Sequence, residues 1–226
     1  DLFTQGIAKY PDDARFLRHR GHRYLTVRSF ERATVDLERA VRLIGGRPDQ
    51  VEPDGLPNAR NTPTSTLHSN SWYHLGLARY LRGDFERALL AWRACLSVSK
   101  NADMQVATTH WLYMTLRRLG RTADADAALV PIRRDMDVIE NGSYLRLLLM
   151  YKGELAPDSL LAAPTGTDRA AEDPAIGYGV GNWHLYSGRR EEALRVFRRV
   201  LAGGDNWPAF GYIAAEADVR RLEAGR

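Results

Sequence analysis

Whatever chemistry this chain performs would fall to six histidines, one cysteine and a polar loop. His19 and His22 stand three apart, close enough on one helix face to share an ion. No carboxylate or thiolate lies at ligand spacing from them, and His110 and His184 fall in distant segments, so no metal or other cofactor is expected. Cys95 is single, which excludes an intrachain disulfide and a thiolate cluster. The residues to suspect in an accessory or catalytic site are Asp54, Asn61, Thr64 and His68, grouped in a stretch rich in glycine and proline. Nucleophilic catalysis has no sequence support: there is no Gly-x-Ser-x-Gly elbow, no His-Glu-x-x-His and no phosphate-binding glycine loop. Gly177, Gly179 and Gly181 imitate a dinucleotide fingerprint, yet no strand precedes them. They read as close-packing positions within a helix.

Charge narrows the partners. The net charge is +4, and lysine occurs only at Lys9, Lys100 and Lys152, so the basicity is nearly all arginine. Guanidinium groups suit carboxylates and phosphates. Arg15, Arg18, Arg20, Arg23, Arg28 and Arg32 are interleaved with Asp12, Asp13, Glu31, Asp36 and Glu38, which dilutes the continuous basic field that nucleic-acid binding needs. No run approaches the ~18 apolar residues of a membrane span. The chain opens at Asp1, compatible with the loss of a leader or lipid anchor, and bacterial cytoplasm and periplasm both remain open.

The elements that must position these residues announce themselves as an echo. Phe30-x2-Ala33-x3-Leu37, Phe85-x2-Ala88-x3-Trp92, Ala125-x3-Leu129 and Ala193-x3-Phe197 each follow a tight turn. Two copies carry a small residue upstream, Gly21 and Gly76, where two helices must come close. The spacing predicts one all-α domain over 1–226. Its parts are a partial repeat or cap helix at 1–10, repeats at 14–47, 69–102 and 103–140, a degenerate repeat at 143–173, a repeat at 174–204 and a capping helix at 205–226. Arg20 weakens the first copy by standing at an apolar position, and Pro131 is expected to kink or restart a helix. Cys95 takes the place of Ala40 and reads as core.

One stretch breaks the rhythm. From Arg28 to Gly83 the spacing is 55 positions, about 21 beyond a repeat of about 34. The excess is an insertion at 45–68 (the loop proper at 48–68), with prolines too dense for a helix. Loops of this length inside compact domains are usually functional or disordered. Val51, Leu56 and Leu67 are the residues to pin it down.

Helix, tight turn and helix at this period resemble the tetratricopeptide repeat (TPR) family over most of the chain. The resemblance implies a right-handed superhelical solenoid and a non-enzymatic scaffold or adaptor that binds a protein or peptide. It further implies that the first helix of each pair lines a concave groove. Carried onto this sequence, the groove holds Arg15, Arg18, His22 and Thr26; then Asn70, Tyr73, Leu77 and Tyr80; then His110, Met114, Arg117 and Arg118; and finally Tyr178, Asn182 and Tyr186. Such a set suits a peptide backbone or a carboxylate. It lacks the lysines of a chaperone-tail clamp. The stretch from Tyr144 to Arg221, with Tyr151-Lys152-Gly153-Glu154 and Tyr186-Ser187-Gly188-Arg189, more loosely resembles the NlpI-type bacterial envelope lipoproteins, scaffolds that dock proteases and cell-wall hydrolases. Self-association through the edge beside residues 1–10, including a homodimer, is the remaining alternative.

Overall fold

The computed structural model describes residues 2–52, 58–162 and 173–225. Among them the regular structure is helical: α1 Leu2–Lys9, α2 Ala14–Thr26, α3 Phe30–Ile44, α4 Leu67–Leu81, α5 Phe85–Val98, α6 Ala102–Arg118, α7 Thr122–Leu129, α8 Gly142–Tyr151, α9 Pro157–Leu161, α10 Pro174–Tyr186, α11 Arg190–Ala202 and α12 Phe210–Ala224, with a 3-10 turn at Gly204–Asn206. The fold is all-α and built from helix-turn-helix pairs. No helix among the described residues is long and apolar enough to cross a membrane. The chain groups into two compact units, 1–108 and 109–226.

In the first unit α2 packs on α3 and α4 on α5. Local signals start these helices where the sequence places them. Asp13 caps α2 by accepting from the Arg15 N–H, Asp84 caps α5 through Arg87, and Thr66 with Ser69 forms a capping box on α4. The pairs approach closely because Gly21 and Gly76 lack side chains: a Cβ on Gly76 would lie 2.6 Å from the Trp92 ring, and one on Gly21 2.6 Å from Leu37. Ala14, Leu17, Ala40, Ile44 and Leu67 form a buried cluster against Ile7 and Trp72. Cys95 is buried with its thiol pushed up to about 11 by burial, an inert core position.

The insertion is closed at its base by an antiparallel bridge between Val51 and Thr66. Glu52 N–H donates to Ser65 O and Leu67 N–H to Gln50 O, while Asn101 reaches Thr64 O at 2.7 Å. Of the residues expected to pin the loop, Leu67 is buried, Val51 is exposed and Leu56 lies outside the described residues.

In the second unit α10 packs on α8, α11 and α12. Pro174 at the first turn of α10, with Asp173 capping Ala175 N–H, is a preorganised start. Leu147, Met150, Leu160, Ile176 and Val180 form its buried cluster. Gly177, Gly179 and Gly181 are the close-packing positions expected: their missing Cβ atoms would collide with Val200, Leu147 and Phe197. Pro131 corrects the sequence reading, because α7 ends at Leu129 before reaching it, and the next helix begins at Gly142. Pro131 lacks the N–H that a continuing helix would donate.

Candidate partner-binding site

On the first unit, α2, α4 and the insertion deliver side chains to one polar cluster. α2 supplies Arg18, His19 and His22; α4, started by its capping box, supplies Asn70 and His74. The insertion supplies Glu52. The Arg18 guanidinium donates to Glu52 Oε2 at 2.5 Å, and the Asn70 amide donates to the same oxygen at 2.5 Å. Asn70 also reaches Ser65 Oγ at 2.8 Å. Both members of the ion pair have side chains only 10% exposed. Burial draws the Arg18 pKa down and Glu52 opposes that fall. On the open side, His19 Nε2 stands 3.9 Å from Glu52 Oε1, and its ring is stacked on Phe3.

Behind this pair the His22 and His74 rings stack at 4.5 Å. Nδ1 of His74 lies 2.7 Å from Asn70 O, so that nitrogen carries the proton, because a carbonyl only accepts. Burial lowers the His22 pKa to about 4, helped by Arg23 and Arg18, and holds His74 well below the usual histidine range. At neutral pH both rings are uncharged spacers beside a cation. The cluster as a whole holds a carboxylate with a charged fork and an amide. No group of three metal-ligating side chains is placed to hold an ion among the described residues.

The second unit carries a different face. Tyr113 and Tyr151 stack at 4.4 Å, and His110 lies between Tyr144 at 4.5 Å and Tyr151 at 5.9 Å. Arg117 lies over the Tyr186 ring, 4.4 Å from its centroid. Both residues are partly buried, and the Tyr186 hydroxyl itself is enclosed. Burial alone lowers the His110 pKa to about 3. Beneath lies a buried ion cluster: Arg118 donates to both oxygens of Asp218 at 3.1 Å, Tyr178 donates to it at 2.8 Å and Arg221 at 2.6 Å. Burial pushes the Asp218 carboxyl up, but Arg118 and Arg221 outweigh it and hold the group below its ordinary value.

The expected groove stripe is therefore mostly interior, which corrects the projected register. Leu77, Tyr80, His110, Met114, Tyr178 and Asn182 are fully buried, and Arg18, Thr26, Asn70 and Tyr73 nearly so. Tyr80 packs edge-on against Phe85, Tyr73 against Trp92, and Tyr178 stacks on Phe197. Asn182 accepts from Arg118 at 3.1 Å. Tyr73, Tyr80 and Tyr178 sit where the two helices of a pair meet, whereas His110 packs on α8 and Asn182 bonds to α6. Arg15, His22, Arg117 and Tyr186 keep solvent access, and Arg15 is tied to Asp13.

The suspects for an accessory site are spread: Asn61 is exposed, Thr64 is buried, and Asp54 lies outside the described residues. His68 lines a separate cavity of about 500 Å³ with Tyr10, Ile44 and Arg47. Sequence reasoning missed Glu52, which carried no motif, and the tyrosines at 113, 144 and 151. The latter pattern was available as aromatic residues at one-turn and two-turn spacings on α6 and α8.

No protein-family model matches the chain, and no curated protein matches it. Among solved structures the chain is similar to YrrB, described as a TPR protein with an unusual peptide-binding site, at 18% identity and a TM-score of 0.48. The likeness covers 96% of this chain and 98% of that one. At that score it carries no argument about partner or residues.

Proposed function

We propose that this chain is a non-enzymatic scaffold that binds a protein or peptide, and that in its first unit the insertion and helices α2 and α4 form the recognition surface together. The observation carrying this reading is the seating of Glu52 on Arg18 and Asn70, which fastens a segment foreign to the repeat onto the helices that the resemblance assigns to partner binding. A loop held only for chain continuity has no need of a buried, hydrogen-bonded carboxylate. Repeat arrays offer extended surfaces of this sort to partners. In the second unit the partly buried Arg117, lying over the Tyr186 ring, is a further contact region, suited to a peptide by guanidinium hydrogen bonding.

The experiment is a selection from a random-peptide display library on the intact chain, repeated on a variant whose 48–66 segment is replaced by a short Gly-Ser turn. Recovered peptides that bind the intact chain and lose at least tenfold affinity on the loop variant support the joint surface. Peptides that bind both equally, or a selection that enriches nothing, overturn it.

A further inference from the structure

We propose that Arg18 and Asn70 are a receptor site for a side-chain carboxylate, that Glu52 is its resident occupant supplied in cis, and that an acidic residue on an extended partner segment binds there by taking the place of Glu52. This rests on the reading of the first unit as a recognition surface and names the chemistry of its partner.

The geometry is that of a bound peptide rather than of a packed loop. Residues 50–52 meet 65–67 through backbone hydrogen bonds at Gln50 and Glu52 and the Val51–Thr66 bridge. Along this short stretch Gln50 and Val51 lie exposed, Val51 at 67%, while Glu52 alone turns in at 8%. A short extended stretch thus presents one side chain to the helices, and that side chain is a carboxylate. The receiving groups belong to the repeat: Arg18 and Asn70 stand on α2 and α4, and their donors converge on one oxygen. The second oxygen faces His19, whose side chain is 41% exposed, so the site has an approach from solvent along that edge.

Exchange is the route the charges allow. Emptying the site would leave a buried guanidinium without a counter-charge, which is strongly unfavourable. Replacing one carboxylate with another keeps the charge count constant through the step, with no bond made or broken. The cis occupant competes at an effective concentration on the order of millimolar. A single glutamate in trans is therefore a weak competitor of the intact protein, and removing Glu52 lifts that competition.

The test uses the full chain, isotopically labelled, with a blocked peptide of sequence Asp-Gln-Val-Glu as probe and the same peptide ending in glutamine as control. Glu52→Ala is expected to bind the glutamate peptide at least tenfold more tightly than the wild type. The expected backbone NMR shifts centre on Arg18 and Asn70, the glutamine peptide gives little response, and adding Arg18→Met abolishes binding. If Glu52→Ala unfolds, Glu52→Gln, which conserves volume, is examined the same way. A folded variant that ignores the glutamate peptide, or answers both peptides alike, overturns the proposal. So does unfolding of both variants, because an exchangeable occupant cannot be one that the fold requires. The two failures are separable. Display peptides without acidic residues would leave the scaffold reading standing and remove only the carboxylate site.

Discussion

Arg18 and Arg118 each lie on the first helix of a pair, and each is held by a carboxylate far along the chain, at separations of 34 and 100 residues. The difference lies in what carries the carboxylate. In the second unit Asp218 stands on α12, a fifteen-residue helix packed on α10 and α11, and it is met by Arg118, Arg221 and Tyr178. In the first unit Glu52 stands on an insertion tied down by a few backbone hydrogen bonds. One arrangement is a keystone and the other a latch. A buried arginine needs a counter-charge in either case, but only the latch can be lifted without unpacking a helix.

The sharpest way to break this comparison is to remove both carboxylates and compare the losses. Asp218→Ala removes the fully buried carboxylate that two arginines and a tyrosine hydroxyl share. A loss of about 3–5 kcal/mol is expected, read as a drop in the denaturation midpoint with early hydrogen exchange in α10 and α12. Glu52→Ala should cost less, about 1.5–3 kcal/mol, the range for hydrogen bonds to charged groups, because the loop can move and water can reach Arg18 past His19. Equal losses, or a larger one at Glu52, would end the distinction between latch and keystone.

The sequence declared the repeats because their signals are local. Turn, small residue and apolar spacing all lie within one helix pair, and the helices form where those signals sit. The ion pairs were illegible because nothing local marks a partner many turns away. Arg20 illustrates the gap. It reads as a defect at an apolar position, yet it makes a two-pronged bond to buried Asp36 at 2.7 and 2.8 Å across α2 and α3. Arg79 on α4 likewise reaches Glu38 on α3 at 3.0 Å. The groove stripe failed for a related reason: helical spacing gives a face, but only packing decides whether that face is covered. Tyr178 and Asn182 are on the expected helix and are wholly interior.

A pH titration sharpens the contrast between the faces. His110 is fully buried with a pKa near 3 in the fold, against an ordinary value near 6.5. Its folded pKa is depressed, so the unfolded chain binds the proton first as pH falls below about 6.5. Its contribution to stability is complete above that point and is lost as pH drops toward 3. Between those limits the slope from one such group is about 1.4 kcal/mol per pH unit. His110→Phe keeps an aromatic ring between Tyr144 and Tyr151 and removes the proton site. The stability-versus-pH slope of the variant should be shallower by about that amount between pH 4 and 6, as followed by urea midpoints. An unchanged slope would mean that the ring is reached by water and titrates normally.

The smallest expected effect concerns the turn that precedes α3. Gly83, Gly120, Gly153 and Gly188 hold the corresponding turns at φ between 70° and 80°, and the first copy holds Arg28 at φ 63°. A left-handed backbone strains an arginine because its Cβ crowds the neighbouring carbonyl, and glycine is free of that crowding. Against relief of the strain stand a guanidinium hydrogen bond from Arg28 to Thr26 O and the greater freedom of glycine in the unfolded chain. The backbone relief is worth about 1 kcal/mol, and the partly buried Arg28–Thr26 hydrogen bond offsets part of that. Arg28→Gly is therefore expected to raise stability by a few tenths of a kcal/mol, seen as a slightly higher denaturant midpoint with the slope unchanged. A lowered midpoint would show that the Arg28–Thr26 hydrogen bond outweighs the strain, making this turn, alone among the five, one held by its side chain.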